Sequence, residues 1–291
     1  MKKTNDTENN SQTKKGISPV VKWFWYIFAG GIVAIMLLFL SASLGLLGEM
    51  PDFKHLENPE TNLATEIITA DGKSLGKFYL DENRTPIKFK DLPKSLVDAL
   101  IATEDERFYE HSGIDVRGTL RAMVFFGSRG GASTITQQLA KQLFHKEKKR
   151  GLGRYTQKIK ERVIATRLEK QYTKEEILAM YFNVYDFNNN ADGIRSAAKI
   201  YFDKEPKNLK IEEGAMLVGM FKNSALYNPV KNKVGVTNRR NVVLAQMAKN
   251  NYITQEEKDS LQKLPLKIKF TPESHNDGLA TYNYQDRKSV V

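Results

Sequence analysis

The sequence predicts a mostly α protein behind one N-terminal transmembrane helix, and three observations predict it. The 26 residues from Trp23 to Gly48 carry no charge, enough to cross the ~30 Å hydrocarbon core of a bilayer as a helix. From Asp91 onward, apolar residues recur at helical spacing behind helix-start signals. Only Thr65 to Tyr79 reads as strand, with apolar residues on either side of an Asp71-Gly72 turn.

Residues 1–19 form a polar, Asn-, Thr- and Lys-rich tail with too few apolar side chains to fold alone. Residues 20–47 form the anchor. Lys2, Lys3, Lys14, Lys15 and Lys22 precede it, and Glu49, Asp52, Glu57 and Glu60 follow. Lysines on the leading side place that end in the cytoplasm, so the rest of the chain is expected outside it. The competing reading, a cleaved signal peptide, has a 7–15-residue apolar region and a small-residue cleavage site. This run is longer and shows no clear site of that kind. Residues 48–90 read as a short β and loop segment.

Residues 91–263 form the main helical domain. Asp91 is expected to cap its first helix with Pro93 just inside. Thr173 with Glu176, and Thr254 with Glu257, have capping-box spacing. Further helices are expected over Arg154–Lys170, Ile194–Phe202, Ile211–Lys222 and Thr237–Lys249. Residues 264–291 form an extended, linker-like tail.

The absence of cysteine excludes a disulfide framework and thiolate metal sites. Net charge is +11, and it is concentrated: from Gln137 to Lys174, twelve Lys and Arg face three Glu, a local +9. Such a field suits an anionic ligand or surface. Nucleic acid is not expected as that ligand outside the cytoplasm.

The candidate chemistry lies in two segments. In EDERFYEHSGID, Glu104 to Asp115, the helical wheel puts Glu104 within the apolar stripe of Leu96, Val97, Leu100 and Ile101, and puts Asp98 and Asp105 on the solvent side. An inward carboxylate is costly to desolvate and suits a general acid or base near neutral pH. The alternative is a helix-terminal residue turned out toward Arg107. His111 and Asp115 follow in a loop, where an orienting role competes with a chemical one. In GASTITQQLAKQ, Gly131 to Gln142, Ser133 is the expected N-cap. Thr134, Gln138 and Lys141 then share one stripe that offers hydroxyl, amide and ammonium donors to an anion, while Ile135, Leu139 and Leu143 face the core. Glu161, among the cations of the next helix, is either a surface ion-pair partner or an acid held near a phosphate or metal. Spacing leaves both open.

In this order these motifs resemble the peptidoglycan glycosyltransferases of family fifty-one, which comprise monofunctional transglycosylases and the amino-terminal module of bifunctional class A penicillin-binding proteins. Glu104-Asp105, Phe108, His111, Gly113 and Asp115 match the first motif, and Ser133 to Gln138 with Lys141 the second. Lys158, Glu161, Ala165, Leu168 and Glu169 match the third. Ile177, Leu178, Tyr181, Asn183, Gly193, Ile194, Ala197 and Ala198 match the fourth; Ala215 to Leu217 and Tyr227 to Pro229 match the fifth. Three positions depart from the family pattern: Gln142 replaces an Asn, Gln157 an Arg whose charge Arg154 could supply, and FNNNAD a glycine-containing loop before Gly193.

The resemblance implies a lysozyme-like helical domain with a small membrane-facing jaw. It implies polymerisation of glycan strands from lipid II, by inverting transfer of the growing chain to a GlcNAc 4-hydroxyl with release of undecaprenyl diphosphate. Glu104 would be the base. Thr134, Gln138, Lys141, Arg150, Arg154, Lys158 and Lys160 would meet the diphosphate, and Asp105, Phe108, His111, Gln137 and Asn183 would complete the substrate contacts. Glu161 would be a second catalytic residue, either holding a divalent cation, Mg2+ or Mn2+, or positioning those cationic side chains. Expected partners are lipid II, the growing strand, the membrane and other cell-wall synthesis proteins. A lysozyme-like hydrolase would need a second carboxylate and no basic helix. A non-catalytic membrane module would need neither an inward Glu104 nor the Thr134 stripe. No transpeptidase activity is expected.

Overall fold

The protein is described by a computed structural model at residues 18–46, 48, 65–68, 70, 74–78, 84–125, 131–144 and 151–272. Two compact units divide it, Met1–Glu49 and Met50–Val291.

The first unit holds α1 (Pro19–Ser43). Pro19 opens it with its φ already helical, and the Ser18 hydroxyl accepts the Val21 N–H at 3.4 Å. At about 1.5 Å per residue the helix is long enough for a bilayer, and length and composition mark it as a candidate span. Its aromatic and aliphatic side chains, Trp23 to Leu38, stand exposed, a surface suited to lipid rather than water. Leu47, the expected end of the anchor, lies outside the described residues.

Among the described residues of the second unit, an antiparallel pair comes first, β1 (Thr65–Ile68) and β2 (Ser74–Phe78), with Thr65 opposite Phe78 and Glu66 opposite Lys77. The Asp71-Gly72 turn lies outside the described residues. Helices follow: α2 (Lys94–Glu104), α3 (Val116–Val124), α4 (Ile135–Phe144), α5 (Leu152–Gln171), α6 (Lys174–Val184), α7 (Gly193–Phe202), α8 (Ile211–Met220), α9 (Lys233–Lys249) and α10 (Gln255–Lys263).

Asp91 does not cap α2. It ends a short 3-10 turn, Phe89–Asp91, and Pro93 takes the N-cap position. The residue before a proline is pushed out of the α region, so Leu92 is extended, with ψ 133°, and the helix cannot start before Lys94. Both capping boxes form as spaced: Thr173 with Glu176 on α6, and Thr254 with Glu257 on α10. Helix α9 starts a turn earlier than expected because the Asn232 side chain caps the Gly235 N–H at 2.9 Å.

The core forms where α8 and α9 lie together against α2, and where α4 packs on α5 and α6. From α2 the core takes Leu96, Val97, Leu100 and Ile101, all nearly inaccessible. Phe221 anchors an aromatic cluster: Tyr181 stacks on it at 4.7 Å, while Phe182, Tyr185 and Phe187 surround it. Each such buried ring contributes roughly 1.5–3 kcal/mol.

Residues 264–272, the described part of the tail, form neither helix nor strand and are fastened to the helical domain. Fully buried Arg240 donates to the Gln262 and Leu264 carbonyls. Beyond it, the Lys269 and Thr271 N–H groups donate to Tyr201 and Ile200 of α7 at 2.9 and 2.8 Å.

Candidate active site

The end of α2, the start of α4 and one face of α9 enclose a cleft of about 340 Å³ that includes Glu104, Glu106, Arg121, Gln138, Gln246 and Lys249 in its lining. Glu104 is the last residue of α2 and its side chain is 15% exposed. One oxygen accepts the Gln138 amide Nε2 at 3.0 Å; the other lies 3.6 Å from Arg239 Nη2. The carboxylate is therefore inward, as its place on the wheel implied. Its cation is Arg239, because Arg107 is engaged by Asp115 at 2.5 Å and Glu106 at 2.8 Å.

Asp105 is 7% exposed, and the expectation of a solvent-facing Asp105 is corrected. The helix stops at Glu104 and the chain turns out at Asp105, with φ −159°, so the wheel no longer applies. Its carboxylate accepts the Ile135 N–H at 3.1 Å and bonds His111 Nε2 at 3.1 Å. These two residues brace the two motifs against each other, and Asp105 also lines the cleft.

The Thr134 stripe is also corrected. Helix α4 starts at Ile135, and Thr134, not Ser133, caps it by accepting the Gln137 N–H at 3.2 Å. The Thr134 hydroxyl donates to the Gly113 carbonyl at 2.8 Å, and the Gln137 amide donates to the same oxygen at 2.9 Å. Both side chains are buried, at 1% and 2% exposure. Gly113 is required there: its φ is +85°, and a Cβ would sit 2.9 Å from the Ala165 backbone of α5. Gln138 remains in the cleft, but its amide is committed on both sides. Nε2 donates to Glu104, and Oε1 accepts the Tyr181 hydroxyl at 2.7 Å.

Other expected substrate contacts have internal roles. Phe108 is fully buried, with the Lys174 ammonium 4.3 Å from its ring. The Asn183 amide exchanges two hydrogen bonds with the Ile87 backbone, both 2.9 Å. Lys160 is buried. Lys141 and Arg154 are exposed, though neither is among the residues that line the cleft. Arg150 lies outside the described residues.

Glu161 is not a surface ion-pair residue. It is 1% exposed and accepts Gln157 Nε2 at 3.2 Å and Lys158 Nζ at 2.7 Å. Gln157, where a departure from the family pattern stands, thus supplies a neutral donor to this buried acid. With both oxygens engaged and no group of three or more carboxylate or imidazole side chains converging among the described residues, the donors present do not fit a cation held by protein alone.

Sequence reasoning missed Glu106, Arg121, Arg239, Gln246 and Lys249. Arg239, Gln246 and Lys249 lie on α9, far along the chain, where nothing local distinguishes them. Glu106 gathers Arg107 at 2.8 Å, Arg121 at 3.2 Å and Lys249 at 3.5 Å. Burial pushes its carboxyl up, but Arg121, Lys249 and Arg107 outweigh this and hold it below its ordinary value. The glycine-free FNNNAD loop is accommodated because Asn188, Asn189 and Asn190 all take left-handed φ, 62°, 56° and 61°, which asparagine tolerates.

The family profile described as Transglycosylase matches residues 71–248, more than half of the sequence. The chain belongs to the transglycosylase family. It is 34% identical to penicillin-binding protein 1A of Pseudomonas aeruginosa, over 87% of this chain and 31% of that protein. It is 39% identical to penicillin-binding protein 1A of Escherichia coli K12, over 72% and 25%. A crystal structure of penicillin-binding protein 1A from Haemophilus influenzae aligns at 25% identity with a TM-score of 0.42, covering 72% of this chain and 22% of that one. This transglycosylase-family chain thus spans about a third or less of the length of these relatives. Ser-x-x-Lys tetrads occur in it at Ser11, Ser74, Ser196 and Ser260, the last with both Ser260 and Lys263 exposed on α10. Ser196 is fully buried within α7 and Lys199 pairs with Asp203; Ser74 and Lys77 lie in β2; Ser11 is outside the described residues.

Proposed function

We propose that this chain polymerises peptidoglycan glycan strands from lipid II at the outer face of the cytoplasmic membrane, with α1 as its anchor. The observation that carries the reading is Glu104: an inward carboxylate, lining a cleft, held by a neutral amide and one guanidinium.

A carboxylate so placed takes the proton from the GlcNAc 4-hydroxyl as that oxygen attacks the anomeric carbon of the growing strand. The bond to the lipid diphosphate breaks, configuration inverts, and the departing oxygens are met by cations. Arg121 and Lys249 line the cleft itself. Lys141, exposed one turn beyond Gln138, and Arg154 extend the positive field outside it. No step is assigned to a metal.

The exposed apolar side chains of α3, Val116, Leu120, Met123 and Val124, form one face of that helix and suit a jaw resting in the membrane interface. Hydrolysis in the lysozyme manner needs a second carboxylate free to act. Asp105, Glu106 and Asp115 in the same lining are each engaged by partners, which favours transfer.

The test is incubation of the detergent-solubilised chain with labelled lipid II. A high-molecular-weight product that a glycan-digesting enzyme degrades is expected. Released monomeric sugar without polymer would support hydrolysis instead, and no turnover would reject both.

A further inference from the structure

Tyr181 is buried in the aromatic cluster, yet its hydroxyl leaves that cluster to donate to Gln138 Oε1 at 2.7 Å. An amide has one acceptor and one donor end. Fixing the acceptor end on α6 therefore obliges Nε2 to face Glu104, where it donates at 3.0 Å. Three helices, α6, α4 and α2, are joined by these two bonds.

We propose that Tyr181 is a positioning residue for the proposed base. By locking the Gln138 amide, it presents Glu104 with a donor and keeps that carboxylate aimed. This rests on the reading of Glu104 as the base. Burial, and then the charge of Glu104, push the Tyr181 phenol well above its ordinary value, so it remains a donor at neutral pH. The charged and titratable groups around Glu104 are Arg239 on α9, Tyr181 and Tyr185 on α6, and Asp105, Glu106, Arg121 and Lys249 along the cleft. Among them Tyr181 is the one joined to Glu104 through an amide whose orientation it determines.

In Tyr181→Phe the ring and its stack on Phe221 remain, but the Gln138 carbonyl loses its partner. The amide is then free to turn and offer Oε1 to Glu104, which favours the protonated carboxyl. In the detergent-solubilised chain, residues 1–291, Tyr181→Phe is expected to lower kcat about tenfold at neutral pH. KM should hold, and the acidic limb of the kcat profile should move to higher pH. Phe221→Leu, which disturbs the same stack without touching the hydrogen bond, should lower Tm and leave that limb in place.

A carbon-13 titration of the Glu104 carboxyl, assigned by its loss in Glu104→Gln, gives the same readout without turnover. Its midpoint should rise in Tyr181→Phe. An unmoved midpoint overturns the inference whether or not the enzyme polymerises lipid II. A moved midpoint in a protein that makes no polymer would keep the Tyr181–Gln138–Glu104 link and reject the assigned reaction.

Discussion

The Asp105 carboxylate accepts the Ile135 N–H at 3.1 Å, so the residue next to Glu104 satisfies the first turn of the helix that carries Gln138. Two motifs 30 residues apart are fixed in register by one charge-assisted bond. Asp105→Ala removes it and strands both the Ile135 N–H and His111 Nε2. A loss of about 1–3 kcal/mol in urea unfolding is expected, with a fall in activity from displacement of Gln138. Asp105→Asn keeps an acceptor and should lose less of both.

Glu104→Gln is nearly constant in shape but cannot take a proton. Polymerisation should fall roughly 10²–10⁴-fold while lipid-substrate binding changes little. A variant that keeps more than about a tenth of the wild-type rate would remove Glu104 from the role of base.

The burial of Glu161 changes what its replacement should do. Glu161→Ala leaves Gln157 Nε2 unpaired in a buried position and should cost about 1–3 kcal/mol, well beyond the 0–1 of an exposed pair. Glu161→Gln should be milder. Because its oxygens are already occupied, turnover against magnesium or manganese concentration should have the same midpoint in wild type and Glu161→Gln. A shifted midpoint would place the cation on Glu161 after all.

Acid should loosen the cleft in a definite window. Glu106 is held below 4.5 against its burial by Arg121, Lys249 and Arg107, and Asp115 below 3.8 against its burial by Arg107 and the Gly118 N–H. Depressed carboxyls contribute stability that is fully present above the ordinary values and is lost as pH falls through the folded-state ones. Tm should therefore hold from pH 7 to about 5 and decline below about 4.5. In the Glu106→Gln, Asp115→Asn double variant that decline should be shallower; an equally steep one would assign the acid sensitivity elsewhere.

Removing residues 1–49 separates the two compact units. The remainder should keep its Tm in detergent, because its core draws on α2 and α4 to α10. Activity should fall most on vesicle-embedded substrate, where the anchor raises local concentration. Full activity on vesicles would assign membrane attachment to the α3 face alone.

The sequence by itself determined the local features. Charge-free length gave the anchor, capping boxes gave the starts of α6 and α10, and periodicity turned Glu104 inward, because each depends on neighbours within a turn or two. It also carried the family, through five ordered motifs. Tertiary structure decided what each of those residues bonds to. Thr134, Gln137, Phe108, Asn183 and His111 lie in the first, second and fourth of those motifs, and the fold gives each an internal partner: the Gly113 carbonyl for the first two, Lys174 for Phe108, the Ile87 backbone for Asn183 and nearby Asp105 for His111. The same long-range packing brought Arg239 and Lys249 of α9 to the carboxylates of α2 and its exit turn. Helical spacing fixes the direction of a side chain relative to its own axis; what it meets there depends on which helix the core packs against that face.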